Sequence, residues 1–413
     1  MTDIKLAADV GPRPRVYVIV QRVFPMGGIE TLILRVLPGL MADGDVVVCG
    51  SPGGMTEHLP AGTHFFQTHD EATIMLRLPR YIQKTFPGRD IVFVSCNPWS
   101  LVNVAVIQYV LKAFGVKCAR SFYLVPHSRA LFFSGTRTSN RLLERVFATA
   151  PKASTYFMND AARDAHAAYW GKDLSLQPIL RLPLNASDVA WKATPGSRLR
   201  IVSVGRLVAF KAYNRAAPRI VAALRAQGID AHWTIWGDGE DRAIIEQAIE
   251  AHDCRAFVTL KGLLPYEQFN GEVCAHDVFV GMGTALLEAA QAGVPSICAL
   301  EELAEQGYGF LDEAPGDSIG DVVAGAPTEP LAVTLQRFVD MADDDRRRLS
   351  GRCVEAAALR SETIKAFEDA IITARPWVAR FDVGSLLMVV NAAALCAVRE
   401  VNLFVKRRLA AWS

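Results

Sequence analysis

A short basic segment is the first part of the sequence that could carry out chemistry. The apolar run Leu199–Val204 predicts a buried strand. Gly205-Arg206 follows it directly, and Lys211 lies five residues after the arginine. Two cations in a loop at a strand end can neutralise the charge that develops on a departing diphosphate. Arginine and lysine are also common on solvated surfaces, so the segment predicts either an anion site or an ordinary exposed pair.

A second segment has the same order of strand, loop and helix. The loop 281–284 contains Gly283 and Thr284 and joins the predicted strand Val278–Val280 to a helix. Glycine lets a ligand approach the backbone closely, and the first N–H groups of a helix point toward anions. Glu288, one turn into this helix, could accept hydrogen bonds from sugar hydroxyls. The alternative is a carboxylate that only complements the helix dipole.

The N-terminal half of the chain contains two further candidates. Gly27-Gly28 precedes a predicted helix, where it would either present backbone N–H groups to a ligand or form a tight turn. His127 follows the predicted strand Phe122–Val125. A single histidine is often structural or exposed, but a position at a strand end favours contact with a ligand.

These candidates need a fold that brings distant loops together. Short apolar runs that predict strands alternate with helical segments through residues 1–190 and again through residues 198–370. The polar stretch 192–197 predicts the boundary between the halves. The predicted fold class is therefore α/β, with two Rossmann-like domains that face each other across a cleft. Ligands of parallel sheets bind at the carboxyl ends of strands, where these candidates lie.

The end of the chain, residues 371–413, forms a third segment. Its apolar run, residues 383–398, is shorter than the ~18–20 residues that a membrane-spanning helix needs. The cations Lys406, Arg407 and Arg408 follow it. We expect the C-terminal helices to cross back onto the first domain, and contact with a membrane surface is the alternative for this segment.

As a set, these motifs resemble the retaining glycosyltransferases of family 4, which have the GT-B fold. The resemblance covers most of residues 16–370 and is strongest in residues 200–300. Four segments carry it there: Gly205-Arg206-Leu207 with Lys211, Ile235-Trp236-Gly237-Asp238-Gly239, Leu260-Lys261-Gly262, and Leu286-Leu287-Glu288-Ala289 with Ala292-Gly293-Val294-Pro295.

The resemblance implies a role for each candidate residue. Arg206 and Lys211 would hold the diphosphate of a nucleotide sugar. Glu288 would bind the ribose, and His127 would contact the donor sugar. The remaining substrate-binding positions would contribute mainly backbone groups: Gly27, Gly28, Gly237, Gly239, Gly283 and Thr284.

One motif departs from the family pattern. The family carries two glutamates separated by seven residues, and the position eight before Glu288 is Val280. The loop that follows is also shortened, to residues 281–284. The first glutamate normally helps to place the donor sugar. Backbone amides of residues 282–285 could substitute for it.

The predicted function is transfer of a sugar from a UDP- or GDP-sugar to a glycan or lipid-linked acceptor. We expect retention of configuration and a role in cell-surface polysaccharide biosynthesis. One alternative is a catalytically weak GT-B protein that acts as a scaffold or partner in a polysaccharide-assembly complex. A sugar-nucleotide epimerase is another. Because no Asp-x-Asp motif lies at a predicted strand end, we expect neither a metal nor another cofactor.

Composition and charge exclude several other classes. The 413 residues are 51% hydrophobic with a net charge of +1, which excludes a largely disordered chain and a nucleic-acid binder that relies on bulk charge. Eight cysteines without a C-x-x-C pair predict reduced thiols, and no signal peptide is visible, so we expect a cytoplasmic protein.

An uneven charge distribution bears on the partners. Residues 77–152 hold twelve Lys and Arg against Asp90 and Glu144, and they include an apolar tip, residues 131–133. This pattern predicts either a peripheral docking face for an anionic membrane surface or a solvated basic face above buried aromatic residues.

Overall fold

The computed structural model describes residues 15–21, 27–52, 54–68, 70–113, 119–132, 137–184, 190–192 and 198–377. Three of the segments discussed above fall outside these ranges. They are part of the predicted domain boundary (193–197), Phe133 of the apolar tip, and the C-terminal run 383–398 with the cations that follow it.

The first domain is built on a mostly parallel sheet. Its strands are β1 (Arg15–Val20), β2 (Gly44–Gly50), β3 (His64–Gln67), β4 (Asp90–Ser95), β5 (Arg120–Val125) and β6 (Thr155–Phe157). The helices between and after them are α1 (Gly28–Asp43), α2 (Glu71–Thr85), α3 (Pro98–Ala113), α4 (Arg137–Thr149) and α5 (Asp160–Trp170). The order across the sheet is β5-β4-β1-β2-β3, and β6 pairs with the outer edge of β5.

Helices cover both faces of this sheet, which explains its continuous apolar strands. Residues 16–20 of β1 are at most 1% exposed, as expected for a parallel strand with helices on both sides. Helix α1 turns one apolar stripe toward the sheet. That stripe consists of Leu32, Ile33, Val36, Leu37 and Leu40.

The second domain repeats the pattern. Its strands are β7 (Arg198–Val204), β8 (Asp230–Trp236), β9 (Val258–Gly262), β10 (Val278–Gly281), β11 (Ser296–Ala299), β12 (Gln306–Phe310) and β13 (Glu329–Pro330). Its helices are α6 (Tyr213–Ala226), α7 (Arg242–Ala251), α8 (Phe269–Cys274), α9 (Thr284–Gln291), α10 (Leu331–Asp340) and α11 (Asp343–Leu359). The order is β13-β12-β11-β10-β7-β8-β9, with β12 and β13 antiparallel to their neighbours.

After α11 the chain returns to the first domain. Helix α12 (Ile364–Ile372) packs there, with the Phe367 ring 5.5 Å from that of Phe122. Strand β14 (Arg375–Pro376) then pairs antiparallel with β5. The predicted α/β architecture, with two Rossmann-like domains and a C-terminal helix that crosses back, is confirmed. The crossing begins earlier than the sequence suggested, because residues 364–370 already lie on the first domain.

The strand order explains where the cleft forms. In the first sheet the chain runs from β1 outward to β2 and β3, and then crosses to β4 on the other side of β1. In the second sheet it runs from β7 to β8 and β9, and then crosses to β10. The loops after β1 and β4, and after β7 and β10, therefore diverge and leave a crevice at each carboxyl edge. These loops form walls of one shared cleft.

Candidate active site

A cleft of about 540 Å³ lies between the two domains. Nine of the ten site residues proposed from the sequence line it: Gly27, Gly28, His127, Arg206, Lys211, Gly237, Gly283, Thr284 and Glu288. Gly239 does not. It packs instead against the backbone of Leu207, where a Cβ at position 239 would overlap the carbonyl oxygen. Residues from loops more than 250 positions apart in the chain thus meet in one site.

Two glycine loops face each other across the cleft. A Cβ at Gly28 would lie only 2.9 Å from Oγ1 of Thr284, so the first turn of α1 and the first turn of α9 are close. Gly283 has a φ of +70°, which side-chain-bearing residues seldom adopt, and its amide donates to the carbonyl of Ile319 at 2.7 Å. This turn places the N-terminus of α9 in the wall of the cleft, where the first amides of a helix are available to an anion.

The two predicted cations come from the loop between β7 and α6. Nζ of Lys211 lies 2.5 Å from where a Cβ of residue 205 would stand, so a side chain there would displace the lysine. The φ of +152° at Gly205 also favours glycine. Burial, together with the positive charge of Arg206, lowers the pKa of Lys211 to about 8. A bound anion would relieve the repulsion between the two cations, and the loop is therefore electrostatically prepared for a negatively charged ligand.

His127 is held as a neutral side chain at the end of β5. Partial removal from water at the wall of the cleft, and then the guanidinium groups of Arg206 and Arg129, lower the pKa of His127 to about 4. The backbone amide of Arg129 donates to Nδ1 at 3.3 Å, so the neutral ring carries its proton on Nε2. At neutral pH the ring can donate a hydrogen bond from Nε2, but it adds no positive charge to the site.

The described part of the apolar tip, Leu131 and Phe132, packs against residues of the first domain. Leu131 is fully buried, and its amide donates to Nε2 of His166 at 3.2 Å. The Phe132 ring stacks on that of Tyr169 with centroids 4.0 Å apart. Leu131 therefore supports the loop from inside the domain, and the interpretation of this tip as a lipid contact is wrong for that residue. Phe132 is only half-buried against Tyr169, and for it the interpretation stays a prediction.

Glu288 is engaged across the domain interface. Its Oε1 accepts hydrogen bonds from the guanidinium of Arg35 on α1 and, at 3.1 Å, from the hydroxyl of Tyr266. Arg35 also donates to the carbonyl of Pro183 at 3.1 Å and to the Tyr266 hydroxyl at 2.7 Å. A ribose that binds Glu288 must share this carboxylate with Arg35. The ribose role of Glu288 remains a prediction.

The position of the missing glutamate is inside the sheet. Val280 is fully buried in β10, and its carbonyl accepts a hydrogen bond from Oγ of Ser203 at 2.7 Å. Val280 therefore belongs to the core of the second domain and does not line the cleft.

Glu30 lies two residues after Gly28, and the sequence analysis gave it no role. It is 6% exposed and lines the cleft, and Nε2 of Gln21 donates to its Oε1 at 2.9 Å. Asn97 donates in turn to Oε1 of Gln21 at 2.5 Å. Burial raises the pKa of Glu30, while the charge of Arg206 opposes that shift. The signal was its position as the last residue of Gly-Gly-Ile-Glu.

Three further cleft residues escaped the sequence analysis altogether. Arg35, Glu301 and Asp321 all line the cleft. No local motif marks them, since their partners lie more than 100 residues away. Within the described ranges, no group of three or more His, Cys, Asp or Glu side chains is arranged to hold a metal ion.

Solved structures with similar folds include several glycosyltransferases. The HepE protein of Anabaena, in complex with UDP and glucose, superposes with a TM-score of 0.64 at 14% identity, over 86% of this chain and 98% of that one. WaaG, a glycosyltransferase involved in lipopolysaccharide biosynthesis, gives a TM-score of 0.60 at 15% identity, over 87% and 100%. Sucrose-phosphate synthase of Thermosynechococcus elongatus gives 0.57 at 14%, over 92% and 100%.

Comparisons at the level of sequence gave no relative. No protein-family model matches the chain, and no curated protein matches it either. At 9–15% identity the structural likeness shows the fold alone. The chain has the GT-B fold, as the sequence resemblance implied.

Proposed function

We propose that the protein is a retaining glycosyltransferase that moves a sugar from a nucleoside diphosphate sugar to a glycan or lipid-linked acceptor. One observation carries this proposal: Arg206, Lys211 and the N-terminus of α9 line the same interdomain cleft. This arrangement suits a ligand with two adjacent phosphates. The fold supports the same class of reaction, because the structures it resembles include glycosyltransferases.

In the proposed reaction the bond between the anomeric carbon and the diphosphate breaks, and the acceptor oxygen bonds to that carbon. Arg206 and Lys211 stabilise the negative charge that grows on the diphosphate, and the amides at Gly283-Thr284 add hydrogen bonds. The acceptor hydroxyl enters on the face from which the diphosphate leaves, and its proton passes to a diphosphate oxygen. This route retains configuration without a protein nucleophile. The charges of Arg206 and Lys211 neutralise the diphosphate, as a divalent ion would otherwise do.

The nucleoside has an apolar wall available beside these cations. Trp236, Leu263, Leu264 and Phe269 line this part of the second domain together with Gly237. A Cβ at Gly237 would overlap the carbonyl oxygen of Gly205, so this loop packs tightly against the cation loop. We take UDP or GDP as the donor nucleotide. HepE, which has a similar fold, was solved with UDP-glucose.

The acceptor side includes a basic face on the first domain. Helices α2, α3 and α4 pack side by side and expose cations: Arg77, Arg80, Lys84, Lys112, Arg141 and Arg145. Leu76 and Tyr109 are 60% and 49% exposed among them. In the described part of the chain, no helix combines the length and apolarity needed to cross a membrane. We propose that this basic face docks the protein peripherally on an anionic membrane, at its cytoplasmic side.

The alternative is a GT-B protein that serves as a scaffold in a polysaccharide-assembly complex. Two observations favour it: Val280 stands buried where a glutamate would be expected, and the Glu288 carboxylate is paired with Arg35. A scaffold of this kind would bind no donor. Thermal denaturation with UDP- and GDP-sugars separates the two, because only a transferase should be stabilised.

The direct experiment is transfer into a membrane extract. The protein is incubated with labelled UDP- or GDP-hexoses and extract, with and without EDTA, and label is measured in glycan and lipid fractions. We expect transfer that survives the chelator. No transfer from any donor, together with no thermal response, would favour the scaffold. Loss of transfer with EDTA and recovery with magnesium would contradict the metal independence of the reaction.

A further inference from the structure

Besides Glu30 on the first domain, the second domain contributes two buried carboxylates to the cleft that the proposed reaction leaves without a role. Glu301 follows β11, and Asp321 lies in the loop that follows β12. They are 9% and 4% exposed, and both line the cleft. Carboxylates are costly to bury, so each must be compensated by donors.

Donors from the opposite domain hold both groups in place. Oγ of Ser128 donates to Oε1 of Glu301 at 2.6 Å, and Nδ2 of Asn159 donates to Oδ2 of Asp321 at 2.6 Å. The backbone of Ser128 also forms a hydrogen bond with the Asp321 carboxylate. Ser128 directly follows His127, so the carboxylates are fixed close to a histidine that lines the cleft.

The same carboxylates are connected to the anion-binding loop of α9. The Glu301 amide donates to the carbonyl of Gly320 at 2.9 Å, and the neighbouring Ile319 accepts from Gly283 at 2.7 Å. A Cβ at Gly320 would lie 2.5 Å from that of Met282. Glu301 is therefore connected to the first turn of α9 through direct contacts of residues 319 and 320 with both.

The residue after Glu301 is held in a strained conformation. Glu302 has a φ of +61°, a region that residues other than glycine rarely occupy. Its amide donates to the carbonyl of Phe210 at 2.8 Å, next to Lys211, and its carboxylate pairs with Arg129 at 2.7 Å. These contacts fix Glu301 relative to the cation loop.

The charges limit what can lie against Glu301. Burial raises the pKa of Glu301, and the nearby carboxylates of Asp321 and Glu302 add to this, while Ser128 and Arg129 oppose it. Another anion placed there would be repelled, and an apolar group would supply this buried carboxylate with no donor beyond Ser128. A group with several hydroxyls satisfies both conditions. On a ligand whose diphosphate lies at Arg206 and Lys211, that group is the sugar.

We propose that Glu301, positioned by Ser128, binds hydroxyl groups of the donor sugar and that this end of the cleft selects an uncharged sugar over a uronic acid. This inference rests on the proposed function, because it requires a nucleotide-sugar donor. It adds a specificity-determining residue and a class of donor to that function.

The proposal is tested by measuring how tightly the wild type and Glu301→Gln bind a sugar nucleotide and the free nucleoside diphosphate. The donor is first chosen as the best-bound of UDP-glucose, UDP-galactose and GDP-mannose, and its Kd is compared with that of the free nucleoside diphosphate. Glu301→Gln should weaken binding of the sugar nucleotide roughly 10- to 100-fold, because a hydrogen bond to a charged group is lost. Its affinity for the nucleoside diphosphate should change less than about twofold.

Two further variants and one further ligand sharpen the test. Ser128→Ala should give a smaller loss that is again confined to the sugar nucleotide. Glu246→Gln, an exposed residue on α7 paired with Arg242, should behave as the wild type. Wild-type protein should bind the nucleotide sugar of the corresponding uronic acid more weakly than the neutral donor. In Glu301→Gln the two Kd values should lie closer together.

The outcomes separate this inference from the function beneath it. If Glu301→Gln binds the sugar nucleotide as tightly as the wild type, the inference is overturned while the proposed function stands. An equal loss for sugar nucleotide and free nucleotide would also overturn it, since that indicates a general structural effect. If the wild type binds no sugar nucleotide and no nucleoside diphosphate, the proposed function fails and the inference fails with it.

Discussion

Lys211 gives the proposed mechanism a pH dependence that can be worked from the structure. Burial and the charge of Arg206 lower the pKa of Lys211 from 10.5 to about 8. The neutral amine cannot stabilise a departing diphosphate as the ammonium does. Free enzyme should therefore lose activity as the pH rises through about 8, whereas a lysine in water would keep its charge to about 10.

The expected size follows from one titrating group. At pH 7 about nine-tenths of the free enzyme has a charged Lys211, and at pH 9 about one-tenth has. The value of kcat/KM should therefore fall about tenfold between pH 7 and pH 9, with a slope near one above the pKa. Lys211→Arg should have a lower kcat/KM at pH 7, because the planar guanidinium fits the space beside Gly205 poorly. Its kcat/KM should nevertheless stay constant as the pH rises, since arginine keeps its charge.

Steady-state transfer over pH 6–10, at donor concentrations below KM, measures this profile. Lys365→Arg is the matched control, since Lys365 is an exposed lysine that pairs with Asp369 on α12. It should keep the wild-type profile. A wild-type profile that is flat to pH 10, or an identical decline in Lys211→Arg, would show that Lys211 is not the titrating group.

Three other predictions concern different parts of the molecule. Glu288→Gln should weaken donor binding more than it lowers kcat, because ribose contacts persist into the transition state; a fall in kcat at unchanged donor Kd would contradict this. Burial lowers the pKa of His166 to about 4 from 6.5, so its protonation opposes folding. The free energy of unfolding should then fall by about 2–3 kcal/mol between pH 7 and pH 4.5, and urea titration of His166→Gln should show a smaller fall. The basic face of α2, α3 and α4 should bind anionic vesicles and release them as salt rises; equally weak sedimentation with neutral and anionic vesicles at low salt would indicate a soluble acceptor.

Much of the fold was predictable because parallel strands leave a strong local signal. The runs Phe122–Val125, Leu199–Val204 and Val278–Val280 each fall within an observed strand, since burial on both faces demands continuous apolar residues. Strands β3, β12, β13 and β14 were not anticipated. They are only two to five residues long, and β14 pairs with a strand about 255 positions earlier in the chain, which no local pattern encodes.

The same distinction holds within the site. The sequence predicted Arg206, Lys211 and the loop before α9 because cations and glycines directly follow apolar strand segments there. The partners of Glu288 were missed, because Arg35 lies 253 residues away and reaches it only when the domains pack. Glu301 was missed for the same reason, since Ser128 belongs to the other domain. Local sequence therefore identified the cation loop and the glycine loop of the cleft, and tertiary packing determined the rest.

The central claim is that the cation loop stabilises a departing diphosphate, and Arg206→Ala tests it most directly. Loss of a charge-assisted contact costs about 2–4 kcal/mol in the transition state, so kcat/KM should fall roughly 30- to 1000-fold. Arg242→Ala, on the exposed face of α7, should stay within about twofold of the wild type, and both variants should unfold at the wild-type temperature. Near-normal turnover by a folded Arg206→Ala variant would contradict the mechanism.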